Sequence, residues 1–161
     1  MKIYQGICCL LLVMFLLIPT GCNKKKKPEG LPDVWPLTIK LVYDDGTPVG
    51  GAVVQMINTD KTLGQRWNTG GKTNDKGEAV MITYGEYPGA PEGNFKVIVN
   101  KEENVFDNAD PPQIKERYNL IERKYTLIQD TPLTLEVKKD TKVKELTVGK
   151  AVREALIGPP G

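Results

Sequence analysis

The chain has 161 residues, with 22 Lys plus Arg against 20 Asp plus Glu, three cysteines and no histidine. Without histidine there is no Ser-His-Asp or Cys-His catalysis and no ordinary zinc ligand set, so acid-base work would fall to carboxylates, Lys and Tyr. The net charge of +2 comes from the N-terminal stretch: from Pro28 onward 17 basic residues face 20 acidic ones, a net of −3, which is not the basic clustering of a nucleic-acid-binding domain.

In chain order the first feature is an apolar run from Ile7 to Ile18, preceded by Lys2 and the free amine. The run is too short to cross a hydrocarbon core of about 30 Å, which takes roughly 20 helical residues. Together with the small-residue exit at Pro19, Thr20 and Gly21 it reads as a secretory signal peptide over residues 1–21. The cysteine that follows makes this stretch resemble the lipobox of bacterial lipoproteins, with Pro19 where leucine is usual. That resemblance implies cleavage before Cys22, acylation of its thiol, and a protein held on a membrane of the bacterial cell envelope, facing the periplasm or exterior. Two or three acyl chains anchor stably, and Lys24, Lys25, Lys26 and Lys27 can lie on anionic headgroups at about 1 kcal/mol each. An uncleaved anchor is the competing reading; the four lysines favour it and the length of the run does not. Cys8 and Cys9 fall in the signal, so acylation of Cys22 would leave no thiol for a disulfide, metal site or nucleophile. Residues 22–36 then form a polar tether held extended by Pro28, Pro32 and Pro36.

Beyond the tether the apolar pattern has period two. Leu37 to Tyr43, Ala52 to Ile57, Glu78 to Tyr84, Phe95 to Asn100, Pro132 to Val137 and Val143 to Val148 read as half-buried strands, with Gln65 to Asn68 a seventh if it pairs. Val143 is out of phase with Leu146 and Val148, which predicts a bulge near Lys144. "DDGTPVG" and "NDKG" carry turn residues, Gly46 and Gly77 supplying positive φ, and each is expected to close a hairpin. Asp110 as N-cap, Pro111, Gln113 and the Ile114/Tyr118 pair predict one short helix inside a polar insertion, Lys101 to Asn119. The tail, residues 149–161, is expected to be a frayed helix or to lack order. The expected fold is all-β: an antiparallel sandwich of about seven strands over residues 37–148 with one short helical insertion.

Asp45 to Val54, "DGTPVGGAVV", resembles the opening of carboxypeptidase regulatory-like domains. Thr73 to Ala79, "TNDKGEA", is similar to their second turn and strand, and Pro88 to Val99, "PGAPEGNFKVIV", to their Pro-Gly-rich approach to a strand with Phe95 in the aromatic position. Ile121 to Thr126 and Thr131 to Val137 resemble the closing segment in small envelope lipoproteins that carry this domain. The resemblance implies a transthyretin-like sandwich, related in architecture to the immunoglobulin fold. It implies a non-catalytic module with no cofactor and no site motif to carry over.

Candidate sites are few. Asp44 with Asp45, and Asp107 with Asp110, have oxygen ligands for calcium but no EF-hand spacing, and turn or capping roles already account for them, so no metal is expected. Asp75, Glu86 and Glu92 offer carboxylate pairs of a kind that any acidic surface offers. Trp67 lies in a polar, glycine-flanked stretch, and Tyr84 and Tyr87 sit beside the "PGAPEG" loop, so the three form a candidate aromatic patch for a sugar or a partner's side chain. The competing role for Trp67, and the favoured one, is a core tryptophan between the sheets, while Trp35 is expected to plug an open end. The resulting expectation is a membrane-anchored structural or protein-interaction module, with polysaccharide or small-ligand binding around Trp67 as the alternative. If the lipobox reading is right, intact mass of the membrane-extracted protein will show loss of Met1 to Gly21 and a gain of lipid on Cys22; a mature mass without lipid refutes it.

Overall fold

A computed structural model describes residues 27–60 and 67–156. The chain divides into Met1–Leu31 and Pro32–Gly161. Within the described part of the first unit, the Leu31 N–H donates to the Pro28 carbonyl at 3.2 Å. Cys22, Lys24, Lys25 and Lys26 lie outside the described residues, and Lys27 is exposed.

The second unit is all-β. Its strands begin with β1 (Val34–Trp35), β2 (Thr38–Val42) and β3 (Val53–Asn58), followed by β4 (Thr69–Lys72), β5 (Glu78–Val80) and β6 (Ile82–Thr83). Then come β7 (Tyr87–Pro88), β8 (Ala90–Pro91), β9 (Gly93–Asn100), β10 (Glu102–Phe106) and β11 (Ile114–Ile121). A 3-10 turn, Arg123–Tyr125, precedes β12 (Thr134–Val137), β13 (Val143–Thr147) and β14 (Ala151–Ala155). Six strands form one sheet in the order β12-β9-β3-β4-β6-β7, and three form another in the order β13-β2-β5. Alternation explains their packing: Ile39 and Leu41 of β2 meet Val54 and Met56 of β3 and Phe95, Val97 and Val99 of β9 in one buried cluster. Two sheets facing each other across that cluster make a β-sandwich.

Several expectations need correction. Glu78 to Tyr84 is not one strand: β5 joins the three-stranded sheet and β6 the six-stranded one, with Met81 buried at the switch and its N–H donating to the Leu37 carbonyl at 2.9 Å. Strands β2 and β13 pair in parallel, and their register runs without a shift from Val143↔Thr38 to Thr147↔Val42, so there is no bulge at Lys144. Val143 is simply 65% exposed. The predicted helix is absent because Lys101 to Asn119 is a hairpin of β10 and β11, to which the tail adds β14 as a third strand. Tyr118, expected to pair with Ile114 along a helix, instead stacks under Arg153, whose guanidinium carbon lies 3.4 Å from the ring centroid. The tether is shorter than expected, since Trp35 pairs with Ala90 and carries the Lys139 ammonium 4.4 Å from its ring centroid.

The two turns close locally but join different sheets. Gly46 N–H donates to the Tyr43 carbonyl at 3.0 Å, and Gly77 N–H to the Asn74 carbonyl at 2.9 Å. Each glycine has φ near +80° (+81° and +76°), but their surroundings differ. A Cβ on Gly46 would meet nothing within 4 Å, whereas one on Gly77 would sit 2.4 Å from the Leu41 carbonyl oxygen. Gly46→Ala should therefore cost only the left-handed strain, about 1–2 kcal/mol, and Gly77→Ala on the order of 3 kcal/mol or more, because strain and overlap add. Urea midpoints check this, and equal losses would mean that the Gly77 corner is not packed as described.

Candidate functional site

The outward face of the six-stranded sheet carries a groove of about 650 Å³. Its shape follows from the sequence of β4. In the ladder Gly70 pairs with Gln55 of β3 and Ile82 of β6, so it belongs to the outward row. Lacking a side chain there, it leaves a trough between the Gln55 and Ile82 side chains. A Cβ at Gly70 would also come within 2.9 Å of the Val54 carbonyl oxygen. Gly71 points the other way, where a Cβ would lie 2.7 Å from the Val80 carbonyl oxygen and 3.4 Å from the Met81 sulfur. The glycine pair thus brings the sheets together on one side and opens a channel on the other.

Beneath the floor, the hydroxyls of Thr69 and Thr83 are 2.9 Å apart, and Thr83 donates to the Gly89 carbonyl at 2.8 Å. Both threonines are buried, and their bonds tie β4 to β6. The groove runs along β3 and β4, with Val53 opposite Lys72 at one end and Asn58 and Trp67 at the other. Ile57 contributes to one side, with Ile128 from the loop after the 3-10 turn, whose carbonyl accepts from Lys96 Nζ at 2.9 Å.

Of the three aromatics proposed from sequence, two come together. Trp67 and Tyr84 meet edge to face, with centroids 5.3 Å apart and planes at 79°. Tyr84 N–H donates to the Asn68 carbonyl at 2.7 Å, and Tyr84 adopts φ +54° to make the turn into β7. Trp67 is half-buried and outside the core cluster, so the core role favoured for it fails. The ring lies two residues before β4, at the rim, where it packs on Tyr84 and lines the groove. Tyr87 is separated from the pair because it stands opposite buried Thr83, on the core-facing side of the sheet.

The acids serve turns. Asp45 Oδ1 accepts from Thr47 N–H at 2.8 Å, and Asp107 Oδ1 from Gln113 and Ala109 N–H at 2.9 and 3.1 Å. These donors hold both carboxyls below their ordinary range, the Thr47 bond leading at Asp45 and the Gln113 bond at Asp107. Among the described residues no three acidic, Cys or His side chains converge to hold a metal ion. Asp75, Glu86 and Glu92 are exposed, and none of the three lines the groove.

The sequence reading missed Gly70, Ile82, Val53 and Lys72. A signal was present: in "AVVQMI" apolar residues occupy both phases of the strand, which marks an outer face that is not wholly polar. No protein-family model matches the chain, and no curated protein does. Among solved structures the chain matches the crystal structure of a 9R-lipoxygenase from Cyanothece PCC8801 with a TM-score of 0.34 and 14% identity, over 91% of this chain. It spans 23% of that lipoxygenase's length. In a Trp35→Phe background, Tyr84→Ala should red-shift Trp67 emission and raise its quenching by iodide, because the Tyr84 ring is what covers one side of the indole; unchanged quenching would contradict that packing.

Proposed function

We propose that the protein is a non-catalytic, lipid-anchored module of the bacterial cell envelope that binds a ligand in the groove beside Trp67. The single observation that carries the binding role is the trough over Gly70, whose volume falls in the usual range of small-molecule sites and whose lining mixes aliphatic walls with a few polar side chains. The anchor rests on the lipobox around Cys22, with Lys24 to Lys27 as the basic run against headgroups. A chain without histidine and with its only cysteines at 8, 9 and 22 favours a non-catalytic role. The transthyretin-like form of the sandwich is part of the same reading. Its support is that two of the resembling motifs meet at Thr73, whose hydroxyl donates to the Val49 carbonyl at 2.6 Å and accepts from Ala52 N–H at 2.8 Å.

A second reading, a protein-interaction module, is favoured by the sheet of β10, β11 and β14, which is largely exposed and carries Phe106 at 55% exposure. Photo-crosslinking in intact cells separates the two. A benzophenone amino acid is placed at Val53 in the groove, at Phe106 on the hairpin, or at Val80, an exposed control on the other sheet. The binding reading expects adducts from Val53 alone. Adducts from Phe106 without any from Val53 would transfer the function to the hairpin, and equal labelling at Val80 would refute both.

A further inference from the structure

The geometry points to an anionic amphiphile as the groove's ligand, an extended apolar body ending in a carboxylate or phosphate held by Lys72; this rests on the binding reading above and gives it a chemical class. The groove is lengthwise. From Lys72 to Asn68 the chain is extended, and four residues at about 3.3 Å each give roughly 13 Å. Along that length the walls are mostly aliphatic or aromatic, Val53, Ile57, Ile82, Ile128 and Trp67, with the Gln55 amide beside Gly70. With no side chain at Gly70, an unbranched apolar body can lie against the strand.

The charge pattern selects the head group. Lys40, Lys124, Lys138 and Arg153 each have a carboxylate partner, Glu145, Glu122, Glu136 and Glu103, at 2.7 to 3.2 Å. Lys72 has none among the described residues, as is also true of exposed lysines such as Lys76 and Lys144, and what sets Lys72 apart is its place in the groove lining. Among the described residues that line the groove there is no Asp or Glu at all. An unpaired ammonium at one end of an apolar, carboxylate-free channel is complementary to an acid with a long apolar body. At the opposite end Asn58 Oδ1 already accepts from Asp60 N–H at 2.6 Å, which leaves its amide N–H groups as donors. A neutral saccharide fits less well, because the lining offers one indole at the rim and no carboxylate acceptor for its hydroxyls.

The unit Pro32–Gly161 contains the whole buried cluster, from Leu37 to Val148, and so serves as the test protein in a Trp35→Phe background. Trp67 emission is followed on titration, below micelle-forming concentrations, with laurate, dodecyl phosphate, dodecanol, dodecyltrimethylammonium and cellotriose. Laurate or dodecyl phosphate should bind at least tenfold more tightly than dodecanol, and the stronger of the two acids identifies the head group. The cation should not bind. Lys72→Gln should weaken the acid roughly tenfold, as loss of one charge-assisted bond does, and leave dodecanol unchanged. Ile82→Glu, at an exposed position, should abolish binding of both without moving the urea midpoint. Equal affinity for acid and alcohol, indifference to Lys72→Gln, or binding of cellotriose alone overturns the inference. If no probe binds, the inference also falls, and the Val53 crosslink decides whether the groove itself falls with it.

Discussion

The hydroxyl of Thr73 sits at the corner where the chain leaves the six-stranded sheet for the three-stranded one, and the two sheets keep their spacing through it. Its backbone N–H donates to the Ala52 carbonyl at 2.8 Å, its carbonyl accepts from Gly51 N–H at 3.0 Å, and its Oγ1 bridges Val49 and Ala52. Thr73, Val49 and Ala52 are buried, so without the hydroxyl the Val49 carbonyl and the Ala52 N–H would be left without a partner or water, at about 1–3 kcal/mol each. Thr131 repeats the device on the far side of the sheet, donating to the Val97 carbonyl at 2.7 Å. Threonine suits these places because its methyl packs while its hydroxyl satisfies main chain that leaves a ladder.

Once the corner is held, the separation of the sheets constrains β4. Val80 and Met81 come so close to its inner side that only glycine fits at position 71. Residue 70 then faces outward between two longer side chains, with the neighbouring main chain close behind. The groove is thus a by-product of how the sandwich closes, and its floor is as rigid as the Thr69–Thr83–Gly89 hydrogen bonds beneath it. The binding role proposed for the groove would then be written on a surface whose shape the core dictates.

The strands that bury alternate residues were legible: β2 and β12 fall inside the runs read from period two, β3 and β9 overlap theirs and overrun them by one and two residues, and Gly46 and Gly77 have positive φ in the expected turns. What was not legible is of two kinds. Local pattern cannot say which sheet a strand joins, so the continuous alternation from Glu78 to Tyr84 concealed a switch at Met81, and the parallel partner of β2 lies 105 residues away at Lys40 and Glu145. Capping chemistry also misled. Asp110, Pro111 and Gln113 look like a helix start, but Asp107 takes the Gln113 N–H at 2.9 Å and closes a loop, after which Ile114 to Ile121 pairs on both edges. At the site, the aromatic signal found Trp67 and Tyr84, while the missing side chain at Gly70 was invisible to a search for chemistry-bearing residues.

The surface electrostatics fit the same division of labour. The Lys40–Glu145 pair is solvent-exposed on both sides, and although the carboxylate raises the lysine's pKa, such pairs stabilise little. The parallel pairing of β13 with β2 must therefore rest on Leu146 and Val148, which are buried in the common cluster, and on Tyr125, whose hydroxyl accepts from Gly149 N–H at 3.0 Å just beyond. Folding makes few demands on the exposed charges. Lys72, exposed at one end of the groove, is among the charges that the fold itself does not require.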